Sequence, residues 1–283
     1  MLTNERAMSW CAATLFAFGF LLKTFEYDQS IGQNSLPDSN SANLAPLPFG
    51  LVVDRAVELY FRRWKLYTGV SFAVLAIQAA LYFAFQHDLA IILSEILFAP
   101  AIVLAVTIGV SSDVLHIPVT AKALVTRGLN RAIPVIFIDF LCAVISNSGY
   151  GAFSPQSGSP SYGQYWLGAL TIALSGTLLF ADVWATVTDG ISWYALAPLA
   201  IFRSISLAWQ GPTILRICLL VALQVPPLLV TVMLAEWMNA RHFSGTLFFA
   251  NVPLGTLLVG PFQALFTVSY FDAVAREQQL VKR

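Results

Sequence analysis

Three carboxylic acids lie inside long apolar runs of this chain, and they are the residues best placed to do chemistry. Glu95 sits in the run Leu89–Val110, Asp139 in Ala132–Ile145 and Asp182 in Tyr165–Val187. A carboxylate at the centre of a membrane helix costs about 2.5–3.5 kcal/mol on insertion scales, so such residues mark cation sites, proton relays or buried pairs. The structural alternative is a protonated carboxyl hydrogen-bonded between helices, or one wetted at a helix end. Glu95 is six residues from the outer end of its run and Asp182 five from the inner end of its own, whereas Asp139 stands near the middle. Asp139 is therefore the sharpest candidate of the three.

Prolines form a second constellation. Pro100 falls at the centre of the second run, Pro226 and Pro227 just past the centre of the fifth, and Pro261 beside Gly260 in the sixth. Proline removes a backbone donor, and the freed carbonyl needs a partner in lipid. Broken helices point to the binding site in a transporter, but proline kinks are also ordinary in membrane helices. Gln224, one turn from Pro227, is placed to supply a partner.

Other reactive residue types give less. His87 sits with Asp88 in a tight outer turn, and His116 and His242 lie near other span ends. No two histidines share a helical face, so no metal site is expected. Cys11, Cys142 and Cys218 stand in apolar runs without a CxxC pair and read as small buried hydrophobes. The Gly/Ser/Pro stretch Asn147–Gly163 reads as a flexible outer connection, not a phosphate cradle. HExxH, GxSxG and Gly-rich nucleotide motifs are missing from the sequence. Neither a cofactor nor a catalytic activity is expected.

The elements that must position the acids follow from composition. Of 283 residues, 58% are hydrophobic and 11% charged, against about 25% charged in a soluble domain. Fifteen basic and fifteen acidic side chains cancel, leaving no bulk charge to attract nucleic acid. A soluble enzyme domain, a disordered chain and a disulfide scaffold are excluded; a polytopic membrane protein remains. Besides the three runs above, Tyr67–Phe85, Ile214–Glu236 and Leu247–Phe271 have the length and apolarity of membrane helices. The third run is short and is expected to borrow length from the uncharged residues after Ile145. Continuous apolar runs require helices, whereas a β-barrel would alternate over about ten residues.

Twelve of the fifteen Lys and Arg residues fall on one side of these six spans: Arg55, Arg62, Arg63 and Lys65, then Lys122, Arg127 and Arg131, then Arg203 and Arg216, then Arg276, Lys282 and Arg283. Arg241 alone falls on the other. The positive-inside rule puts the basic side and the C-terminal tail in the cytoplasm. Residues 1–46 stand apart from the span region 47–283. Met8–Leu22 is apolar between Arg6 and Lys23 and has signal-peptide proportions, yet no small-x-small cleavage site follows closely. Its removal would put Arg55–Lys65 outside, so it reads as retained, either spanning or lying in the interface. Thr24–Pro46 reads as a polar linker.

Three basic segments precede three pairs of spans. In Leu51–Leu66, apolar Val53, Val57, Tyr60, Phe61 and Trp64 recur at helical spacing opposite Arg55, Glu58, Arg62 and Lys65. Val119–Arg131 and Leu199–Gln210 repeat the pattern, with starts 68 and 80 residues apart. They read as amphipathic helices in the cytoplasmic interface, each followed by an out-and-back hairpin. Three parallel repeats fit this order, although any short cytoplasmic loop acquires basic character by the positive-inside rule.

The same segments carry a family pattern. PFGLVVDRAVELYFRRWKLYTGV resembles the opening of the bacterial six-span proteins named after the glycerophosphoryl diester phosphodiesterase membrane domain. IPVTAKALVTRGLNRAIPVI is similar to their middle connection, GISWYALAPLAIFRSISLAWQG to their third basic segment, and GPFQALFTVSYFDAVAREQQ to their closing exit. The resemblance runs in order from about Leu47 to Gln279. It implies a six-span membrane part in a bacterial inner membrane and no reaction, since the phosphodiesterase chemistry of fused members belongs to a separate soluble barrel. The apolar N-terminal segment and its linker depart from the pattern.

The expected fold is thus an all-α polytopic membrane bundle of six core spans with three cytoplasmic interfacial helices. The expected function is that of a non-catalytic scaffold or accessory protein contacting membrane lipids and other membrane proteins. Arg55, Arg62, Arg63, Trp64, Lys65, Lys122, Arg127, Arg203 and Trp209 would meet lipid headgroups. The alternative is a small-solute or ion transporter using Asp139, Glu95 and Asp182.

Overall fold

The computed structural model describes residues 46–85, 88–117, 121–153, 174–241 and 246–281. Met8–Leu22, the linker up to residue 45, Cys11, His87 and His242 lie outside the described residues. Every regular element among the described residues is a helix. We number them α1 (Phe49–Arg62), α2 (Trp64–Phe85), α3 (Asp88–Val114), α4 (Ala121–Phe153), α5 (Ala181–Val187), α6 (Trp193–Ala208), α7 (Pro212–Ala240) and α8 (Thr246–Val281).

Helix α1 starts directly after Pro48, whose carbonyl accepts the Val52 N–H. It buries Val52, Ala56 and Leu59, spaced four and three residues apart, against α8. Val57, Phe61 and Trp64 follow the same spacing but point outward and are exposed. The face read from the sequence, Val53, Val57, Tyr60, Phe61 and Trp64, is therefore not the one that packs on α8; the buried line is Val52, Ala56 and Leu59.

Among the described residues, three stretches are long and apolar enough to cross a membrane: Trp64–Ala84 in α2, Ile96–Val114 in α3 and Val252–Leu280 in α8. At 1.5 Å per residue the first two come close to the thickness of a hydrocarbon core, about 30 Å, and the third exceeds it. Outward stripes at helical spacing, such as Leu129, Ile133, Phe137 and Phe140 on α4, leave large apolar side chains exposed. Such surface suits hydrocarbon as solvent. The chain has the build of a helical membrane protein.

Helix α8 is the central post, packed against α3, α1, α7 and α2. The main core joins Val52, Leu59, Tyr67, Ile102, Val106, Phe180 and Phe271. Two polar bonds cross it: Thr256 donates to Gln78 (2.9 Å) and Gln263 to Thr107 (2.8 Å), all four buried. Glycine permits the closest approach, because a Cβ on Gly109 would collide with the Tyr67 hydroxyl. A second core joins α4, α5 and α6 through Val135, Ile138, Leu178, Ala181, Leu196 and Ala200.

Several boundaries differ from the sequence expectation. The second basic segment and the third run form one continuous 33-residue helix, α4, because no turn residue separates Arg131 from Ala132. That helix continues through Asn147 to Phe153, residues expected to open a flexible connection. The fourth run is interrupted at Leu178–Phe180. The third basic segment begins earlier, at Trp193, and buries Leu196, Ala197, Leu199, Ala200, Ile201, Leu207 and Ala208. It is packed into the protein more deeply than a helix floating in the interface, and it meets the start of α7 at 106°.

Candidate functional site

On α4, Val135, Ile138, Asp139 and Cys142 share the face turned to α5. Asp182 lies in the first turn of α5. The side chains of the two aspartates, 43 residues apart in sequence, are brought within hydrogen-bonding reach of each other. A hydrogen bond between two carboxyls requires a proton on one of them, since an ionised carboxylate only accepts. Asp139 Oδ2 and Asp182 Oδ1 are each out of solvent contact and without a hydrogen-bond partner. The pair is thus an acid facing an acid inside an apolar layer, with Cys142 beside it.

The break in the chain one turn before Asp182 sets this geometry. Ser175, Gly176 and Thr177 precede it, and the helix tightens into turns in which Leu178 donates to Ser175 and Ala181 to Leu178. Gly176 leaves room there for α7, since Ile217 and Val221 approach to 3.2 Å of where its Cβ would stand. The backbone groups loosened by the break are taken up by Ser204 of α6. Its hydroxyl accepts the Phe180 N–H (3.1 Å) and donates to the Thr177 carbonyl (2.6 Å). Ser204 is fully buried, so one side chain satisfies two groups that water cannot reach.

The far end of α5 is held by the basic start of α4. Arg127 donates to the carbonyls of Thr186 and Val187, Arg131 to that of Thr188, and both reach Asp189 at 3.0 Å. Cations here complement the carbonyl-rich helix terminus. α5 is therefore pinned at both ends, by a serine and by two arginines.

Basic residues of the other segments make equivalent pairs. Arg63, where α1 gives way to α2, grips Asp113 at the end of α3 with two bonds (3.1 and 2.8 Å), and this pairing holds its guanidinium pKa above the ordinary value. Arg203 of α6 and Gln210 bind Glu277 near the end of α8. Arg216 at the start of α7 and Arg276 both bind Asp272, and both also donate to the Leu47 carbonyl, while Asp272 accepts the Leu47 N–H. The starts of α2, α4 and α7 and the ends of α3, α5 and α8 are thus gathered at one basic end.

Several of the residues expected at lipid headgroups also have partners within the protein. Arg63, Arg127 and Arg203 direct their guanidinium groups to protein acceptors. Arg55 and Arg62 share Glu58 on the outer surface of α1, each at 2.9 Å. Their attraction, led by the Arg55 hydrogen bond, keeps the Glu58 carboxyl below its usual pKa. Lys65 is exposed, Trp64 is 46% exposed and Trp209 67%. The side chains of Glu95 and Lys122 lie outside the described residues. Gln224 donates to Leu220 within its own helix at 3.5 Å, not to the carbonyls that Pro226 and Pro227 free.

Ser204, Asp113, Asp189, Asp272 and Glu277 did not stand out in the sequence. Four are acids just outside apolar runs or at their ends, where a basic partner is available on the same side. Ser204 carries no sequence signal, because its role exists only where α6 crosses the break.

No family model, no curated protein and no solved structure matches this chain.

Proposed function

We propose that this chain is a non-catalytic integral membrane protein of the bacterial cytoplasmic membrane, a scaffold or accessory protein that contacts lipids and membrane partners. In this reading it has six core spans and a cytoplasmic C-terminus, and the family resemblance in the sequence points the same way. The observation that carries it is the two-sided α1: Val52, Ala56 and Leu59 are locked to the bundle while Val57, Phe61 and Trp64 stand exposed beside Arg62 and Lys65. An aromatic and basic line next to span ends is the composition that favours the membrane interface. A nitroxide on Phe61→Cys in proteoliposomes tests it. Greater relaxation by lipid-soluble oxygen than by a water-soluble nickel chelate is expected; the reverse would remove α1 from the interface.

A second reading, a small-solute or ion transporter, draws support from Asp139 meeting Asp182 beside an interrupted helix. It requires Asp139→Asn to accumulate normally and to lose flux of protons or cations in proteoliposomes. Equal fluxes in parent and variant would dismiss it.

A further inference from the structure

A cavity of about 140 Å³ opens at the basic end of the bundle, lined by Leu47, Arg55 of α1, Val114 and His116 at the end of α3, and Val268, Phe271 and Asp272 of α8. Its size is that of an engineered cavity able to take one benzene-sized group. Its walls are of two kinds. Leu47, Val114, Val268 and Phe271 are apolar, whereas Arg55 and His116 bring nitrogen donors. Both neighbouring ion-pair clusters hold two arginines for each carboxylate: Arg55 and Arg62 around Glu58, and Arg216 and Arg276 around Asp272. Asp272, though it lines the cavity, has its carboxylate occupied by both arginines and by the Leu47 N–H. The surplus in each cluster is positive.

His116 is held there by the way α3 ends. Its φ of 55° is left-handed, and the Ile117 N–H returns to the Ser112 carbonyl (2.9 Å). This is the Schellman stop, in which the left-handed position is ordinarily glycine. A side chain is accepted at a position where glycine would be free of strain, and it is an imidazole lining the cavity.

We propose that this cavity binds a phosphate group, that of a glycerophospholipid headgroup, between Arg55 and His116, with the glycerol end of the lipid against Val268 and Phe271. An apolar wall beside charge-assisted donors matches that amphiphile. The site lies at the level where Ile96–Val114 ends, so it rests on the reading that this end of the bundle reaches the membrane surface. Free phosphate shares the recognition chemistry and is the other source.

The test is native mass spectrometry of the full-length protein in detergent, titrated with phosphatidylglycerol and, separately, with diacylglycerol of the same chains. Phosphatidylglycerol is expected to bind and diacylglycerol not. Arg55→Gln and His116→Gly are each expected to weaken binding by about ten-fold, the loss of one charge-assisted contact. Val268→Phe, which fills the cavity without changing charge, should abolish it, and Lys65→Gln, outside the cavity and both clusters, should leave it within about two-fold. His116→Gly relaxes the left-handed residue, so its loss of binding does not report unfolding. Competition by inorganic phosphate, itself lost in His116→Gly, would keep the phosphate chemistry and identify the free anion as ligand. Equal binding by all variants, equal binding of diacylglycerol, or a Lys65→Gln effect as large as that of Arg55→Gln would overturn the proposal. A micelle offers no bilayer surface, so failure here leaves the Phe61→Cys result standing, and failure there leaves this one standing.

Discussion

The α1–α2–α3–α7–α8 region and the α4–α5–α6 region bury polar groups under opposite rules. In the first, every ion pair across helices sets a cation against an acid, as Arg63 with Asp113 and Arg216 with Asp272, and the amides Gln78 and Gln263 each find a hydroxyl. In the second, Arg127 and Arg131 are used at the rim on Asp189 and helix carbonyls, and the interior keeps two acids facing each other. An acid–base pair stays satisfied over a wide pH range. An acid–acid pair is satisfied only while it holds a proton. The first arrangement is suited to fastening helices and the second to a group whose state can change.

The largest effect that would sharpen this contrast is expected at Asp272. Asp272→Ala leaves two guanidinium groups and the Leu47 N–H without their acceptor, and breaking a buried pair in this way costs about 3–5 kcal/mol. Thermal unfolding in detergent should show a large drop in Tm, with earlier proteolysis ahead of Leu47. A change within error would mean that the cluster does not fasten the bundle.

Gly109→Ala comes next. Its new Cβ meets the Tyr67 ring and hydroxyl, and overpacking of this kind costs about 1–3 kcal/mol. Tyr67→Phe in the same chain should recover part of the loss, and the double-mutant cycle measures how much. Additive losses would show that the two helices do not touch there.

Ser204→Ala tests the other region. It removes the acceptor of the Phe180 N–H and the donor to the Thr177 carbonyl, at about 1–3 kcal/mol. Hydrogen exchange at Phe180 should accelerate more than exchange in α8. Uniform change across both would show that the break is not independently held.

Asp139 separates the two rules most directly. Asp139→Asn keeps a donor and an acceptor opposite Asp182 and should change Tm little, whereas Asp139→Leu strands Asp182 and should cost about 1–3 kcal/mol. If Asn destabilises as much as Leu, the ionised form of Asp139 is what the fold needs, and the contrast fails.

Glu58 gives the smallest effect. Its folded pKa is lowered, so its contribution is present above the ordinary value of 4.5 and fades as pH falls through the lower folded value. The carboxyl is fully exposed, and Glu58→Gln should be hard to distinguish from the parent at neutral pH by thermal unfolding. Any difference should vanish in acid.

Much of the molecule follows from residue order alone. The proportion of apolar to charged residues dictates a membrane environment, since such a chain has too few polar groups for a soluble surface. Apolar runs at Tyr67–Phe85, Leu89–Val110 and Leu247–Phe271 dictate helices, because a backbone in hydrocarbon must satisfy its own hydrogen bonds, and the membrane-length stretches Trp64–Ala84, Ile96–Val114 and Val252–Leu280 overlap them. The side on which basic residues accumulate is likewise written in their positions. Asp139 was visible as an anomaly for the same reason: cost in lipid depends on residue type and depth, both of which are local. Its partner was not local. Asp182, the Ser204 bridge over the break, and the bonds of Asp272 to a backbone 225 residues away depend on which helices lie side by side. Packing of α6 on α5 and of α8 on α1 decides that, through side-chain shapes summed over whole interfaces rather than through the spacing of residues within any one segment.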